Sequence, residues 1–320
     1  MGDNTPPDFS RGQHLGLRIS LSLALAVIVY CVMALWAGYD ELTTHLRSFP
    51  MQLFLLALGL STGNFLLRFV RYHLLLLQNG IRVSLGKNLL IHFAGLSLTM
   101  TPGKVGEAIK SWFLHLLGHK PVSTLPVVFM ERFTDLFSVL LLASFGVFTL
   151  GLGVPVFALS GSLLLALGVL LTTERGISLL GSIAAKTPLI RRKSDAIASI
   201  LQGVKGYMTP KTLTMTLFFG ALGWGAEAVA FYYIAQGAGL TITLFDAVFI
   251  YSISTLAGVV FPGGLGGMEG MMGLLLMGRG SPGAIVTSIF LIRLATLWWA
   301  TLVGTGALIT ATLTIRPTKK

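Results

Sequence analysis

The chain has 320 residues, of which 54% are hydrophobic and 11% charged, with mean hydropathy +0.81 and net charge +11. Soluble domains carry about 25% charged residues, and several stretches here exceed the roughly 18 apolar residues that mark a spanning helix. Composition therefore excludes an ordinary soluble enzyme and predicts an all-α polytopic membrane protein.

No alternating ten-residue pattern suggests a β-barrel. The basic residues fall mainly in loops between apolar stretches. Orientation and anionic lipid headgroups account for them, and no nucleic-acid partner is expected. The single cysteine, Cys31, forbids an intramolecular disulfide.

In chain order, residues 1–16 read as a disordered cytoplasmic tail. Full spans are predicted at 17–38, 51–77, 124–150, 153–172, 212–236 and 283–312. The first is an uncleaved helix, because the uncharged stretch Ile19 to Tyr39 outruns a signal-peptide core and no A-x-A site follows. Two further apolar regions, 88–117 and 246–278, are each broken by a Pro-Gly element. Their limbs, about 13–16 residues, reach ~20–24 Å as helix, short of a hydrocarbon core of roughly 30 Å. They read as re-entrant hairpins.

Charge placement supports that reading. If each hairpin returns to the side it left, the cytoplasmic side collects Arg68, Arg71, Arg82, Lys87, Lys120 and the basic loop 174–211. Only Arg47 and Arg279 then face outward. Both termini are cytoplasmic. Within a single domain at 17–312, repeat 1 (about 51–150) and repeat 2 (about 212–312) acquire opposite topology, an inverted repeat. The linker 174–211 reads as a basic amphipathic segment lying on the cytoplasmic membrane surface.

The two hairpins echo each other. Pro102-Gly103-Lys104-Val105-Gly106-Glu107 precedes Arg132 by thirty residues, and Pro262-Gly263-Gly264-Leu265-Gly266-Gly267-Met268-Glu269 precedes Arg293 by thirty-one. Arg293 lies roughly 15 Å into its span. An unpaired arginine there costs at least ~2.5–3.5 kcal/mol. Glu107 and Glu269 are its natural partners and those of Arg132, with Glu227 a further candidate. Glu131 and Asp135 add charge beside Arg132. These groups either lock hairpins to spans or contact a substrate; both roles are compatible.

After Pro102 and Pro262 a helix start inside the membrane would favour an anion through its free N–H groups and dipole. The glycines let a ligand approach the backbone, and Lys104 adds charge. A phosphate-bearing lipid head fits such a tip; a plain turn whose helix starts are complemented by Glu107 and Glu269 is the alternative. Gly59 and Gly63, with Gly220, Gly223 and Gly225, are expected to mark close helix packing.

No Walker A loop, H-E-x-x-H, G-x-S-x-G or C-x-x-C motif occurs, so no cofactor or ATP hydrolysis is expected. His115 and His119 lack a third ligand, and no metal site is expected. Movement of a substrate would be downhill, or coupled to ions through Glu107, Asp135, Glu227 or Glu269. The rival readings are a lipid-modifying enzyme using Glu131 or Asp135 as base, and a scaffold for an envelope-lipid complex.

The run Thr101-Pro-Gly-Lys-Val-Gly-Glu-Ala108 with Glu131-Arg-Phe-Thr-Asp-Leu136, and Phe261 to Glu269 followed by Leu291-Ile-Arg-Leu294, resembles the lysylphosphatidylglycerol synthase transmembrane family, also called flippase-like. The resemblance covers about 20–310. Members of about this length include proteins associated with hopanoid synthesis. It implies movement of a lipid between leaflets of a bacterial inner membrane. In two-domain relatives this unit flips an aminoacylated phosphatidylglycerol made by an attached synthase. A chain ending at Lys320 leaves no room for that domain, so aminoacyl transfer is not expected, and a polyprenyl-linked sugar, a hopanoid or a phospholipid remains open as cargo. Lipid-biosynthesis enzymes are conceivable partners. The residues matching by position are Pro102, Gly106, Glu107, Glu131, Arg132, Asp135, Pro262, Gly263, Gly266, Glu269 and Arg293.

Overall fold

The computed structural model describes residues 24–101, 106–150, 154–186 and 194–317. The tail at 1–16 and the first tip residues Pro102, Gly103 and Lys104 lie outside the described residues. Every described element is helical. In order these are α1 Ala24–Ala37, α2 Tyr39–Ser48, α3 Met51–Gln78, α4 Leu85–Leu96, α5 Ile109–Leu116, α6 Pro121–Leu150, α7 Val154–Thr172, α8 Glu174–Lys186, α9 Ser194–Tyr207, α10 Pro210–Gly237, α11 Leu244–Gly258, a 3-10 turn Pro262–Gly264, α12 Gly267–Leu276, α13 Pro282–Arg293, a π-helical turn Leu294–Trp298 and α14 Trp299–Thr314.

Among the described residues, three helices are long and apolar enough to cross a bilayer: α3, α10 and the continuous run Pro282–Thr314. The count rises to five if α1–α2, bent by 98°, and α7–α8, bent by 104°, each form one span. Helix starts follow local chemistry. Thr209 caps α10 ahead of Pro210, and Ser281 caps α13 ahead of Pro282, each side chain accepting a backbone N–H. Thr243 and Asp246 form a reciprocal capping box at α11.

The limbs of the two broken regions are short, 12 and 8 residues for α4 and α5 and 15 and 10 for α11 and α12. At 1.5 Å per residue none exceeds ~23 Å. Each first limb packs against the far half of the chain: α4 lies on α14, and α11 lies on α6. Between them α3 runs along α10. Contacts are close enough that a Cβ at Gly304 would sit 2.2 Å from the Ser97 nitrogen, and one at Gly223 2.3 Å from Asn64 Oδ1. Gly59 and Gly63 behave otherwise. Nothing lies within 4 Å of a Cβ at either, so that G-x-x-x-G is no packing seam among the described residues.

The basic linker is not only a surface strip. α9 packs on α6, with Val204 and Tyr207 buried and the Tyr207 hydroxyl donating to the Leu75 carbonyl at 3.0 Å. Lys205 and Gln202 donate to Glu174 across α8–α9, and the Lys205 hydrogen bond foremost holds that carboxyl below its ordinary range.

Candidate functional site: an arginine-lined cavity

α3 is mostly apolar but carries Ser61, Asn64, Arg68 and Arg71 at helical spacing, and all four are buried. α6 answers with Glu131, Arg132 and Asp135, the turn into α5 supplies Glu107, and the first turn of α5 supplies Lys110. Arg71 Nη2 meets Asp135 Oδ1 at 2.6 Å, and Arg68 Nη2 lies 3.5 Å from Glu107 and 3.6 Å from Asp135. Lys110 Nζ sits 2.6 Å from Glu131 and 3.3 Å from Glu107. Arg132 reaches Glu107 at 3.1 Å and Asp135 at 2.9 Å. Among the described residues four cations share three carboxylates, leaving one excess positive charge. Removing an ion from water costs several kcal/mol; Glu107 and Asp135 offset it by each meeting three of the cations, and Glu131 by its close pair with Lys110. Arg68 and Arg71 are therefore not cytoplasmic loop charges, which corrects their place in the charge count above.

The second copy is simpler. Arg293 Nε pairs with Glu269 Oε1 at 2.7 Å, and the same guanidinium donates to the Gly263 carbonyl and to Met268 Sδ. Glu269 Oε2 accepts the Gly266 N–H at 2.8 Å. Glu269 thus both complements the start of α12 and neutralises Arg293, and that helix start is satisfied by the chain's own carboxylate. Gly263, Gly264 and Gly266 all have positive φ, 59°, 77° and 84°, which glycine alone adopts readily. Of the carboxylates offered as partners for the intramembrane arginines, Glu107 pairs with Arg132 and Glu269 with Arg293, while Glu227 pairs with neither among the described residues.

The two clusters open on one cavity of about 140 Å³. α3 contributes Arg68 and Phe65, α6 Arg132, Asp135, Leu136 and Val139, α10 Trp224 and Glu227, and α11 Tyr251 and Thr255. Gly263, Gly264 and Phe261 come from the second tip, and Arg293, Thr296 and Leu297 from the last span. A π-helical turn directly follows Arg293 and presents Thr296 and Leu297 to the same space; such bulges are frequent at functional sites. Arg132 keeps 18% of its side chain exposed, and its Nε has no hydrogen-bond partner among the described residues. The chamber is chemically divided, with three guanidiniums facing aromatic and aliphatic walls.

Of the residues singled out in the sequence, Arg132, Asp135, Glu227, Gly263, Gly264 and Arg293 line the cavity. Glu107 and Glu269 stand behind it as partners of its arginines. Glu131 faces Lys110 away from it, Gly106 donates its N–H to Thr101 Oγ1 at 2.8 Å, and Pro262 opens the second tip. Sequence reasoning did not select Asn64, Arg68, Lys110 or Tyr251. Asn64 Nδ2 and the Tyr251 hydroxyl both donate to Glu227, at 2.6 and 2.5 Å. The buried polar stripe on α3 was the available signal. Among the described residues no three His, Cys, Asp or Glu side chains gather as a metal site.

A family model described as the lysylphosphatidylglycerol synthase TM region matches residues 19–304. Among curated proteins, a UPF0104 membrane protein of Methanothermobacter thermautotrophicus is 25% identical over 306 residues, covering 88% of this chain and 90% of that protein. A UPF0104 membrane protein of Pyrococcus horikoshii is 23% identical over 324 residues, covering 89% and 94%.

Proposed function

From the premise that this chain belongs to the lysylphosphatidylglycerol synthase TM-region family, we propose that it is a transporter that moves a lipid with a phosphate-bearing headgroup between the leaflets of the cell membrane, and not an enzyme. The observation that carries the reading is the single cavity shared by Arg68, Arg132 and Arg293. A phosphate oxygen accepts well from a guanidinium fork, and among the described residues the cluster around Arg132 holds one positive charge more than its own carboxylates cancel. Val260, beside the cavity residues Val259 and Phe261, is 76% exposed. That exposure suits a chamber whose polar floor takes the headgroup while acyl tails stay in hydrocarbon.

The same reading gives the architecture: six full spans and two re-entrant hairpins in an inverted repeat, with both termini cytoplasmic. The contacts support it by exchange. The first limb of one hairpin rests on the closing span of the other half, α4 on α14 and α11 on α6, while α3 and α10 pair with each other. A two-fold relation in the membrane plane accounts for that reciprocity, and transporter sites of this kind lie near mid-depth between the two repeats.

The test is leaflet-resolved movement of labelled phospholipid in vesicles holding purified protein. R132A and R293A, checked for folding, are expected to slow it severely. Wild-type movement in both folded variants would remove the site assignment.

A further inference from the structure

Four intramembrane carboxylates are candidates for coupling transport to an ion, and their surroundings separate one from the rest. Glu107 faces Arg132 and Lys110, Asp135 faces Arg71 and Arg132, and Glu269 faces Arg293. Each has a cation at salt-bridge distance. Glu227 does not: among the described residues, no Lys, Arg or His nitrogen lies within 4.0 Å of it. Its two oxygens take neutral donors instead, Asn64 Nδ2 from α3 and the Tyr251 hydroxyl from α11.

That pair of donors accommodates both protonation states. Asn64 and Tyr251 each donate to the carboxylate; when Glu227 carries a proton, the Tyr251 hydroxyl turns and accepts it as a hydrogen bond. Glu227 is 5% exposed and lines the cavity. The helices packed on α10 are α3, α6, α11 and α13. The charged or titratable groups they present to the same space are Arg68, Arg132, Asp135, Tyr251 and Arg293.

We infer that Glu227 is a proton-binding site of the cavity, loaded when an anionic headgroup enters. A phosphate seated among the three guanidiniums brings negative charge into a chamber where, among the described residues, the Glu227 oxygens meet only the neutral donors Asn64 and Tyr251. A proton taken up on Glu227 offsets one unit of that charge, and the Tyr251 hydroxyl accepts its hydrogen bond. One O–H bond forms, the proton comes from the aqueous side to which the cavity is then open, and no other bond changes. Anion and proton load together, and the charge carried through the membrane falls by one. The purpose of the site rests on the lipid-transport reading; its existence does not.

The experiment is infrared difference spectroscopy of the full-length protein in detergent, titrated with short-chain phosphatidylglycerol at fixed pH. The expected result is a protonated-carboxyl C=O band that grows with added lipid, persists in E174Q, whose side chain lies on the exposed linker, and vanishes in E227Q. Should E227Q not fold, Y251F removes one hydrogen bond from the same carboxyl and is expected to shift the band's frequency. No lipid-dependent band in the wild type, a band surviving in folded E227Q, or one unshifted in Y251F overturns the inference. Leaflet-resolved transport run in parallel separates the two ideas. A wild-type band without lipid movement upholds the proton site and sinks the transport reading. Movement without a band does the reverse.

Discussion

Arg71 is completely buried and holds Asp135 at 2.6 Å, although 64 residues separate them along the chain. The pair ties α3 to α6 beneath the cavity. Arg71 itself does not line that space, whereas Asp135 does, so the contact anchors a cavity residue from behind. Removing one partner of a buried pair costs about 3–5 kcal/mol. R71M is therefore expected to lower the unfolding free energy by about that amount, measured by denaturant titration of the purified protein in detergent. A loss below about 1 kcal/mol, the range of an exposed pair, would contradict the assignment.

Lys110 and Glu131 distinguish locking from substrate contact. They pair at 2.6 Å, fully buried, and neither lines the cavity. Glu107 keeps Arg68 and Arg132 when Lys110 is lost. K110M alone strands the Glu131 charge and is expected to fold poorly. The double variant K110M/E131Q removes both charges and is expected to recover folded yield and most of the wild-type lipid movement. A well-folded double variant without movement would place Glu131 in the transport machinery.

The glycines make opposite predictions at positions that look alike in sequence. A side chain at Gly304 collides with the backbone of Ser97, so G304V is expected to separate α14 from α4 and lower the melting temperature sharply. A Cβ at Gly59 or Gly63 meets nothing within 4 Å, and G59V and G63V should change stability by no more than about 0.5 kcal/mol. Thermal unfolding of the three variants side by side checks both halves of the prediction.

The class of the chain and its short broken helices were legible from composition and from the spacing of Pro-Gly breaks. So was the need of an intramembrane arginine for a carboxylate partner, with Glu107, Glu269 and Glu227 as the candidates; which arginine takes which was not. Arg68 and Arg71 were not. Lying near the end of a span, they satisfy the positive-inside pattern as well as they satisfy burial, and their partner Asp135 sits on another helix. The Asn64–Glu227 contact spans 163 residues, a separation at which no local periodicity carries information. Gly59 and Gly63 show the converse: small residues at the right spacing permit close packing but do not supply a neighbour.

Thr255 offers the most direct test of the central claim, that lipid passes through the cavity between the two arginines. Its side chain lines the chamber on α11, and the exposed Cys31 can be removed as C31S so that T255C is the sole thiol. The measurement is transbilayer movement of labelled phospholipid before and after reaction with a bulky maleimide. The account predicts that movement proceeds in C31S/T255C, stops in proportion to labelling, and that saturating lipid slows the labelling. Complete labelling at residue 255 with movement continuing at its unmodified rate would contradict it.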